Sequence, residues 1–280
     1  MSLVISDLKF TYPKAKEPVL HGLNLSIRQG EIFGLLGPSG CGKSTTQQIL
    51  MRLLTGYSGD ISVFGKPLGQ QGRGYYERIG VSFELPTLYL RMTARENLKF
   101  FASLYRTPCL DPVEALIRVD LQDAADQRVQ DFSKGMKMRL NLCRSFMHNP
   151  DLLFLDEPTS GQDPARARMT RDLIVSLKEQ GKTVFLTTHN MAEAAEICDR
   201  VGFLTKGHVP IIGTPADLMR QYGQSGVEVV ARDGRHHAFP TDNLGQNPDF
   251  IAALNAGFLS IHSHEASLDD VFIKVTGDGA

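Results

Sequence analysis

Gly37-Pro38-Ser39-Gly40-Cys41-Gly42-Lys43-Ser44-Thr45 decides how this chain is read. The stretch fits G-x-x-x-x-G-K-[ST], the loop that cradles phosphates in nucleotide hydrolases. Its flanks suit that reading. Glu31-Ile32-Phe33-Gly34-Leu35-Leu36 predicts a short buried strand entering the loop. Thr46 to Leu54 predicts a helix leaving it, with Ile49, Leu53 and Leu54 on one face and Gly56 just past the end. The glycines let backbone N–H groups turn inward, and the helix N-terminus adds the positive end of its dipole. In such a loop Lys43 supplies a point charge for the β- and γ-phosphates, and the Ser44 hydroxyl is a ligand for Mg²⁺. From average glycine usage, a chance match in a chain of this length has odds of about one in a hundred. A nucleotide site is therefore expected. Cys41 lies inside the loop, where a thiolate is expected to be favoured and open to oxidation or alkylation.

The 280 residues suffice for one large core, with or without a small appended domain. Lys and Arg (30) nearly balance Asp and Glu (31), so bulk charge gives no argument for a nucleic-acid partner. No apolar run is long enough to span a bilayer, and no signal pattern opens the chain; work at a membrane would need another chain to hold it there. The cysteines Cys41, Cys109, Cys143 and Cys198 form no C-x-x-C pair. They read as reduced cytosolic thiols rather than a disulfide or zinc framework.

Leu3 to Phe10 and Leu23 to Ile27 alternate apolar and polar residues, the pattern of half-exposed antiparallel strands. Tyr12, in the turn between them, offers a ring face to an adenine or to its neighbours. Further strands are expected at Asp60 to Phe64 and at Ile79 to Glu84. Thr93 with Glu96 forms a capping box, and Asp111-Pro112 starts another helix, so the chain from Thr93 to Arg128 reads as mostly helix. Strands return at Leu152 to Leu155, Thr183 to Thr187 and Val201 to Leu204, each preceded by a helix-like segment. Such alternation marks parallel strands joined by crossover helices. After a helix-like segment from Ala216 to Tyr222, residues 223–280 read as a small α+β appendage with a strand at Val227 to Ala231 and a helix near Phe250 to Leu254.

Two further places carry chemistry. Asp156-Glu157 ends an apolar strand, where an open α/β sheet places its ligands. Asp156 suits Mg²⁺, and Glu157 suits the water that attacks a γ-phosphate; an ordinary helix N-terminus is the alternative. Ser133-Lys134-Gly135-Met136 precedes a helix whose inner face carries Met136, Leu140, Cys143 and Met147. Ser133 either caps that helix alone or also helps it face an anion.

The order of these motifs, completed by Ser160-Gly161-Gln162-Asp163-Pro164 and Thr188-His189, resembles the nucleotide-binding subunit of an ATP-binding-cassette (ABC) transporter from about Leu3 to Thr214. The resemblance implies a P-loop NTPase core with a mostly parallel sheet, an N-terminal antiparallel β subdomain and a helical signature subdomain at about 84–150, all within an ATPase domain over 1–222. It also implies ATP hydrolysis coupled to transport. Tyr12 would stack on adenine, residues Gly37 to Thr45 would form the Walker A loop, Asp156 would be the Walker B aspartate and Glu157 the catalytic base. Ser133 and Gly135 would contact the γ-phosphate bound to a second ATPase subunit, Asp163 would communicate between the two sites, and His189 would hold the γ-phosphate. The implied partners are a like subunit, in a homodimer, and a separate multi-spanning permease that would hold the dimer at the cytoplasmic face of the membrane.

The sequence departs from the family at two positions. The signature reads Phe-Ser-Lys-Gly-Met, adding Lys134 beside the retained Ser133 and Gly135. Glu84 stands where the family usually has a glutamine, and a carboxylate there is expected to join Ser44 and Asp156 as a ligand for Mg²⁺, or else to face solvent. The Ser-Lys-Gly-Met signature and the Ser267-Leu268-Asp269-Asp270-Val271-Phe272 tail resemble the daunorubicin-type branch of bacterial exporters of drugs or lipid-like molecules. Competing expectations are a soluble cassette ATPase acting on ribosomes or DNA, and a non-hydrolysing nucleotide sensor. Glu157 and His189 together speak against the sensor.

Overall fold

Leu3, Ile5, Leu8 and Phe10 are all buried, so the apolar alternation slips by one residue between Ile5 and Leu8. The computed structural model places a register irregularity there, with Asp7 in the left-handed region (φ 49°). It describes residues 1–223 and 225–277. These divide into two units, Met1–Ile212 and Gly213 onward.

In chain order the first unit opens with β1 (Leu3–Phe10), β2 (Leu20–Ile27), β3 (Ile32–Leu36), α1 (Lys43–Leu50), β4 (Ser58–Val63), β5 (Lys66–Pro67), α2 (Tyr75–Arg78) and β6 (Ile79–Ser82). It continues with α3 (Ala94–Ala102), α4 (Pro112–Ile117), α5 (Lys134–Phe146), β7 (Leu152–Asp156), α6 (Pro164–Glu179), β8 (Thr183–Thr188), α7 (Met191–Ile197) and β9 (Arg200–Phe203). β10 (Ile212–Gly213) follows where the two units divide. A four-stranded antiparallel sheet has the order β2-β1-β4-β5. The second sheet has the order β10-β9-β3-β8-β7-β6, and the pairings from β6 through β9 are all parallel. Strands β3, β7 and β8 are buried at every position, as expected where a parallel sheet is covered on both faces. Phe154 and Phe185 meet edge to face with ring centroids 6.0 Å apart. Ile49 and Leu50 of α1 join the two sheets into one apolar core.

Several elements depart from the sequence expectation. Helix α1 begins at Lys43, inside the phosphate loop, and ends at Leu50. Gly42 (φ 113°) turns the chain directly into it, Arg52 (φ 61°) leaves it, and Leu53 is exposed. Strand β6 stops at Ser82, so Glu84 lies in the loop beyond. The Thr93–Glu96 capping box forms and Asp111 caps α4, yet the segment to Arg128 holds only these two short helices and a 3-10 turn. Its bonds are spent locally on turns and on the bridge between Thr93 and Arg128. On α5 the expected inner face holds at Leu140, Cys143 and Met147, whereas Met136 is half-buried and Met138 is buried instead.

Three side chains fix the loop that follows β6. Asn141 of α5 donates to Ser82 Oγ (3.0 Å) and to the Phe83 carbonyl (2.8 Å). Arg144, one turn on, donates to the Thr87 carbonyl (3.0 Å) and stacks its guanidinium over Phe101 (4.7 Å). Asn97 of α3 exchanges hydrogen bonds with the Tyr89 backbone, accepting from its N–H (2.9 Å) and donating to its carbonyl (3.0 Å).

The second unit contains α8 (Pro215–Tyr222), β11 (Gly226–Ala231), β12 (His236–Pro240), α9 (Pro248–Asn255), β13 (Phe258–His264) and α10 (Leu268–Thr276). Its antiparallel sheet has the order β12-β11-β13, and Phe239 meets Phe250 of α9 edge to face. Helix α8 packs on α10, which places it in this unit although the sequence reading drew the boundary after Tyr222. Ser267 and Asp270 form a capping box on α10.

Gly80 in β6 lies so close to α5 that a Cβ there would run into the Ser145 carbonyl. Gly80→Ala should therefore cost about 1–3 kcal/mol through overpacking. Gly69→Ala, where a Cβ would meet open space, should change stability by less than about 0.5 kcal/mol. Urea denaturation midpoints of the two variants check this, and equal midpoints would contradict the close approach.

Candidate functional site

Parallel strands deliver all their C-terminal ends to one edge of the sheet, and there the site is assembled. β3 feeds the glycine-rich loop, β7 ends on Asp156 and Glu157, β8 leads into His189, and β6 leads to Glu84. A cleft of about 220 Å³ at this edge is lined by Ser39, Gly40, Gly42, Lys43, Ser44, Thr45, Glu84, Asp156, Glu157 and His189. Chain segments separated by more than a hundred residues thus meet at one cleft.

The loop is shaped by contacts that only glycine permits. At Gly37 a Cβ would overlap the Leu204 carbonyl, so the backbone can pass close beneath the loop only without a side chain. No side chain caps the N-terminus of α1, which leaves its first N–H groups as donors for an anion. Lys43 curls back and donates to the carbonyls of Gly37 (2.7 Å) and Pro38 (3.0 Å). The ammonium is therefore held over the loop. Tyr12 lies outside the cleft lining, half-exposed. Its hydroxyl is 3.0 Å from Thr45 Oγ1 and its ring stands edge-on to Phe10.

Asp156 is buried and held from both sides. Ser44 Oγ donates to its Oδ2 (3.1 Å) and Thr187 Oγ1 donates to its Oδ1 (2.5 Å). Gln47 of α1 donates to the carbonyls of Leu155 (3.2 Å) and Phe185 (3.4 Å), tying the helix to both strands. Sequence reasoning missed Thr187 and Gln47. Their only signal was a polar side chain within otherwise apolar strand or helix faces. With Ser44 beside Asp156 and Glu84 on the same cleft, the donor set is hard oxygen, which fits Mg²⁺.

Glu157 takes a left-handed backbone (φ 47°), an uncommon and strained conformation for a non-glycine residue. Its carboxylate accepts from Thr188 Oγ1 (3.0 Å) and from the His189 backbone N–H (2.9 Å), and His189 Nδ1 lies 2.6 Å from the same Oε1. The two residues expected to act separately, Glu157 on water and His189 on phosphate, are thus in direct contact. Glu157 is nearly buried and the His189 ring is largely exposed.

The structure does not bring Ser133, Gly135 and Asp163 into this cleft. Ser133 caps α5 by accepting from the Met136 N–H (3.2 Å), and Asp163 caps α6 by accepting from the Arg166 N–H (3.1 Å). Both are exposed. A Cβ on Gly135 would lie 3.2 Å from the Gly161 carbonyl, so the signature segment and the Asp163 loop adjoin each other as a second polar patch.

The expectation for Cys41 is reversed. Half-burial desolvates its thiol and raises the pKa, outweighing the lowering by the Lys43 charge and backbone N–H groups. The thiolate is disfavoured in this loop.

The family model described as "ABC transporter" matches residues 20–160. The chain is 50% identical over 278 residues to a protein of Mycobacterium tuberculosis (strain CDC 1551 / Oshkosh) named as a fluoroquinolones export ATP-binding protein, covering 98% of this chain and 92% of that one. It is 35% identical over 298 residues to Nod factor export ATP-binding protein I of Rhizobium meliloti (strain 1021), covering 99% and 89%. Among solved structures, a dimeric ATP-binding cassette in a post-hydrolysis state with ADP and Pi matches with a TM-score of 0.68 and 25% identity, over 76% of this chain and 98% of that one.

Iodoacetamide should modify Cys41 more slowly at pH 7 than the same cysteine in the urea-unfolded chain, because the raised pKa keeps the thiol protonated. The rate should climb as pH rises past the ordinary thiol range. Peptide mass spectrometry reads both, and faster labelling of the folded chain at pH 7 would contradict the assignment.

Proposed function

Because this chain belongs to the family of ABC transporter ATP-binding subunits, and is an ATPase of that family, we propose that it powers a bacterial exporter of drugs or lipid-like molecules through a separate membrane permease. One observation carries the chemistry. Lys43, the Ser44–Asp156 pair and the Glu157–His189 pair converge on one cleft at the ends of four adjacent parallel strands. The likeness to subunits named for export of fluoroquinolones and Nod factor supports the cargo class.

In this reading the uncapped amides of α1 and the Lys43 ammonium bind the β- and γ-phosphates, while Tyr12, beside Thr45, offers its ring to the adenine. Ser44, Asp156 and Glu84 would hold Mg²⁺, which when bound neutralises charge on the β- and γ-oxygens. Glu157 accepts the proton of the attacking water, and its fixed backbone keeps the carboxylate aimed. His189, already paired with Glu157, orients it and reaches the γ-phosphate with its other ring nitrogen. Ser133 and Asp163 sit exposed at adjoining helix starts, with Gly135 buried in the first turn of α5, and there the three serve the nucleotide of a second subunit in a homodimer. This explains why they stand apart from the chain's own cleft.

The permease meets a different surface. A groove of about 680 Å³ is lined by Arg73, Tyr76, Phe101, Leu104 and Arg106, among others, and Leu85, Tyr89 and Leu90 are exposed in the loop after Glu84. Exposed apolar side chains gathered next to a groove suit an apolar segment of a partner. No described helix is long and apolar enough to cross a membrane; in this reading, which rests on the transporter family, the ATPase lies peripherally on the cytoplasmic face, held by that permease. The first unit, with the helical insert around 84–150, carries the ATPase, and the second unit is its appendage.

Glu157→Gln should slow ATP turnover by about 10²–10⁴-fold, measured by phosphate release; a loss below tenfold would remove Glu157 from the role of base. Glu84→Gln should raise the Mg²⁺ concentration for half-maximal ATPase, and an unchanged metal titration would show that Glu84 does not hold the ion. Affinity capture of the chain from detergent-solubilised native membranes should recover a multi-spanning protein in stoichiometric amount. Ribosomal proteins or DNA recovered in its place would refute the transporter role.

A further inference from the structure

Glu193 takes no part in the chemistry above, yet it is among the most buried charged residues of the chain, 2% exposed. It lies on α7, the helix that begins just after His189. Its backbone N–H donates to the cap residue Asn190 (3.1 Å), whose own N–H donates to Thr188 Oγ1 (3.0 Å). Its side chain reaches the other way. Glu193 Oε2 accepts a hydrogen bond from Thr159 Oγ1 (2.7 Å), two residues beyond Glu157. Its Oε1 is buried and, among the described residues, has no hydrogen-bond partner.

These bonds close a ring. On one side Glu157 is joined to Thr188 and His189; on the other Thr159 is joined to Glu193, and Asn190 links the two through the start of α7. The loop beyond Thr159 is braced in turn, for Gln162 donates to the Pro158 carbonyl (2.8 Å) and Thr170 donates to Gln162 (2.8 Å). Asp163 then starts α6. The strained backbone of Glu157 persists only if its surroundings over-determine it. A second tie between the two loops supplies that constraint.

We propose that Glu193 is a positioning residue for hydrolysis, clamping the loop after Glu157 to the helix after His189 so that the Glu157–His189 pair keeps its geometry. The inference rests on the reading of this cleft as the hydrolytic site. Burial foremost, with the neighbouring Glu157 and Glu196 charges adding, raises the Glu193 pKa against the lowering by Thr159 and Arg171. A neutral acceptor therefore suits the position, and a glutamine should serve it, because its amide oxygen accepts from Thr159 as Oε2 does.

The test compares full-length wild type, Glu193→Ala, Glu193→Gln, Thr159→Val and the Glu193→Ala/Thr159→Val double variant by steady-state ATPase and by titration with a fluorescent ATP analogue. Misplacing catalytic groups without touching the nucleotide contacts should lower kcat about tenfold or more in Glu193→Ala. KM and analogue affinity should change by less than about twofold, since uniform binding is untouched. Glu193→Gln should return kcat to within about threefold of wild type. Thr159→Val should lose as much as Glu193→Ala, and the double variant no more than either, because both remove one interaction. If Glu193→Ala does not fold, Thr159→Val decides alone. Wild-type kcat in that variant overturns the proposal, as does a parallel loss of kcat and nucleotide affinity. A wild-type chain that binds and hydrolyses no ATP would overturn the reading of the cleft itself, and the proposal with it.

Discussion

Strand β7 is buried along its whole length, and a buried backbone must have every N–H and C=O satisfied. It can meet that demand only between two other strands, and β6 and β8 provide the ladders on either side. β8 has the same requirement and meets it with β7 and β3. Since these strands are parallel, each must be followed by a crossover, so all their C-terminal loops emerge together. The cleft exists because this constraint allows no other arrangement of the loops. The antiparallel sheet of β1, β2, β4 and β5 is under less demand. It closes the core from one side with alternating residues, and even tolerates a slip of register at Asp7.

The ends of the parallel strands and the start of α7 concentrate buried acidic groups. Asp156, Glu157 and Glu193 are each less than a tenth exposed. Buried carboxylates are costly unless hydrogen-bonded, and the donors here are mostly hydroxyls: Ser44 and Thr187 on Asp156, Thr188 on Glu157, Thr159 on Glu193. A hydroxyl rotates and can accept as well as donate, so it stabilises a carboxylate without committing a fixed cation to it. Lys43 is left bonded to carbonyls rather than to an acid, and its charge stays free for an anionic ligand.

Features set by neighbours in sequence were the ones legible in advance. The phosphate loop, the Thr93–Glu96 box, the Asp111 cap and the apolar strands over Leu152 to Asp156 and Thr183 to Thr187 all depend on spacing within a few residues. The family resemblance rested on their order. What was not legible depends on distant partners. Thr187, Gln47, Asn141 and Glu193 look like unremarkable polar residues until the fold brings Asp156, Leu155, Phe83 and Thr159 against them. Cys41 was misjudged because local charge near Lys43 is visible in sequence and desolvation is not. The start of α1 was placed late because glycines weaken helix propensity, whereas Gly42 uses its left-handed freedom to begin the helix. In the second unit β12, β13 and α10 escaped notice because short amphipathic strands with histidines and serines carry a weak signal. The compact units divide at Ile212, before α8, because α8 packs on α10, a contact between residues too far apart in sequence to be read there.

Helix α5 has a mechanical consequence. Its 13 residues make a rod of about 20 Å, with Ser133 and Gly135 at one end and Arg144 near the other. Arg144 grips the Thr87 backbone while Asn141 grips Phe83, so the loop carrying Glu84 is fastened to the rod at two points. A push on that loop from outside cannot be absorbed locally without breaking several part-buried hydrogen bonds. Otherwise the displacement is passed to α5, whose other end carries Ser133 and Gly135. One helix thus ties the loop after β6 to the signature residues through a single continuous backbone.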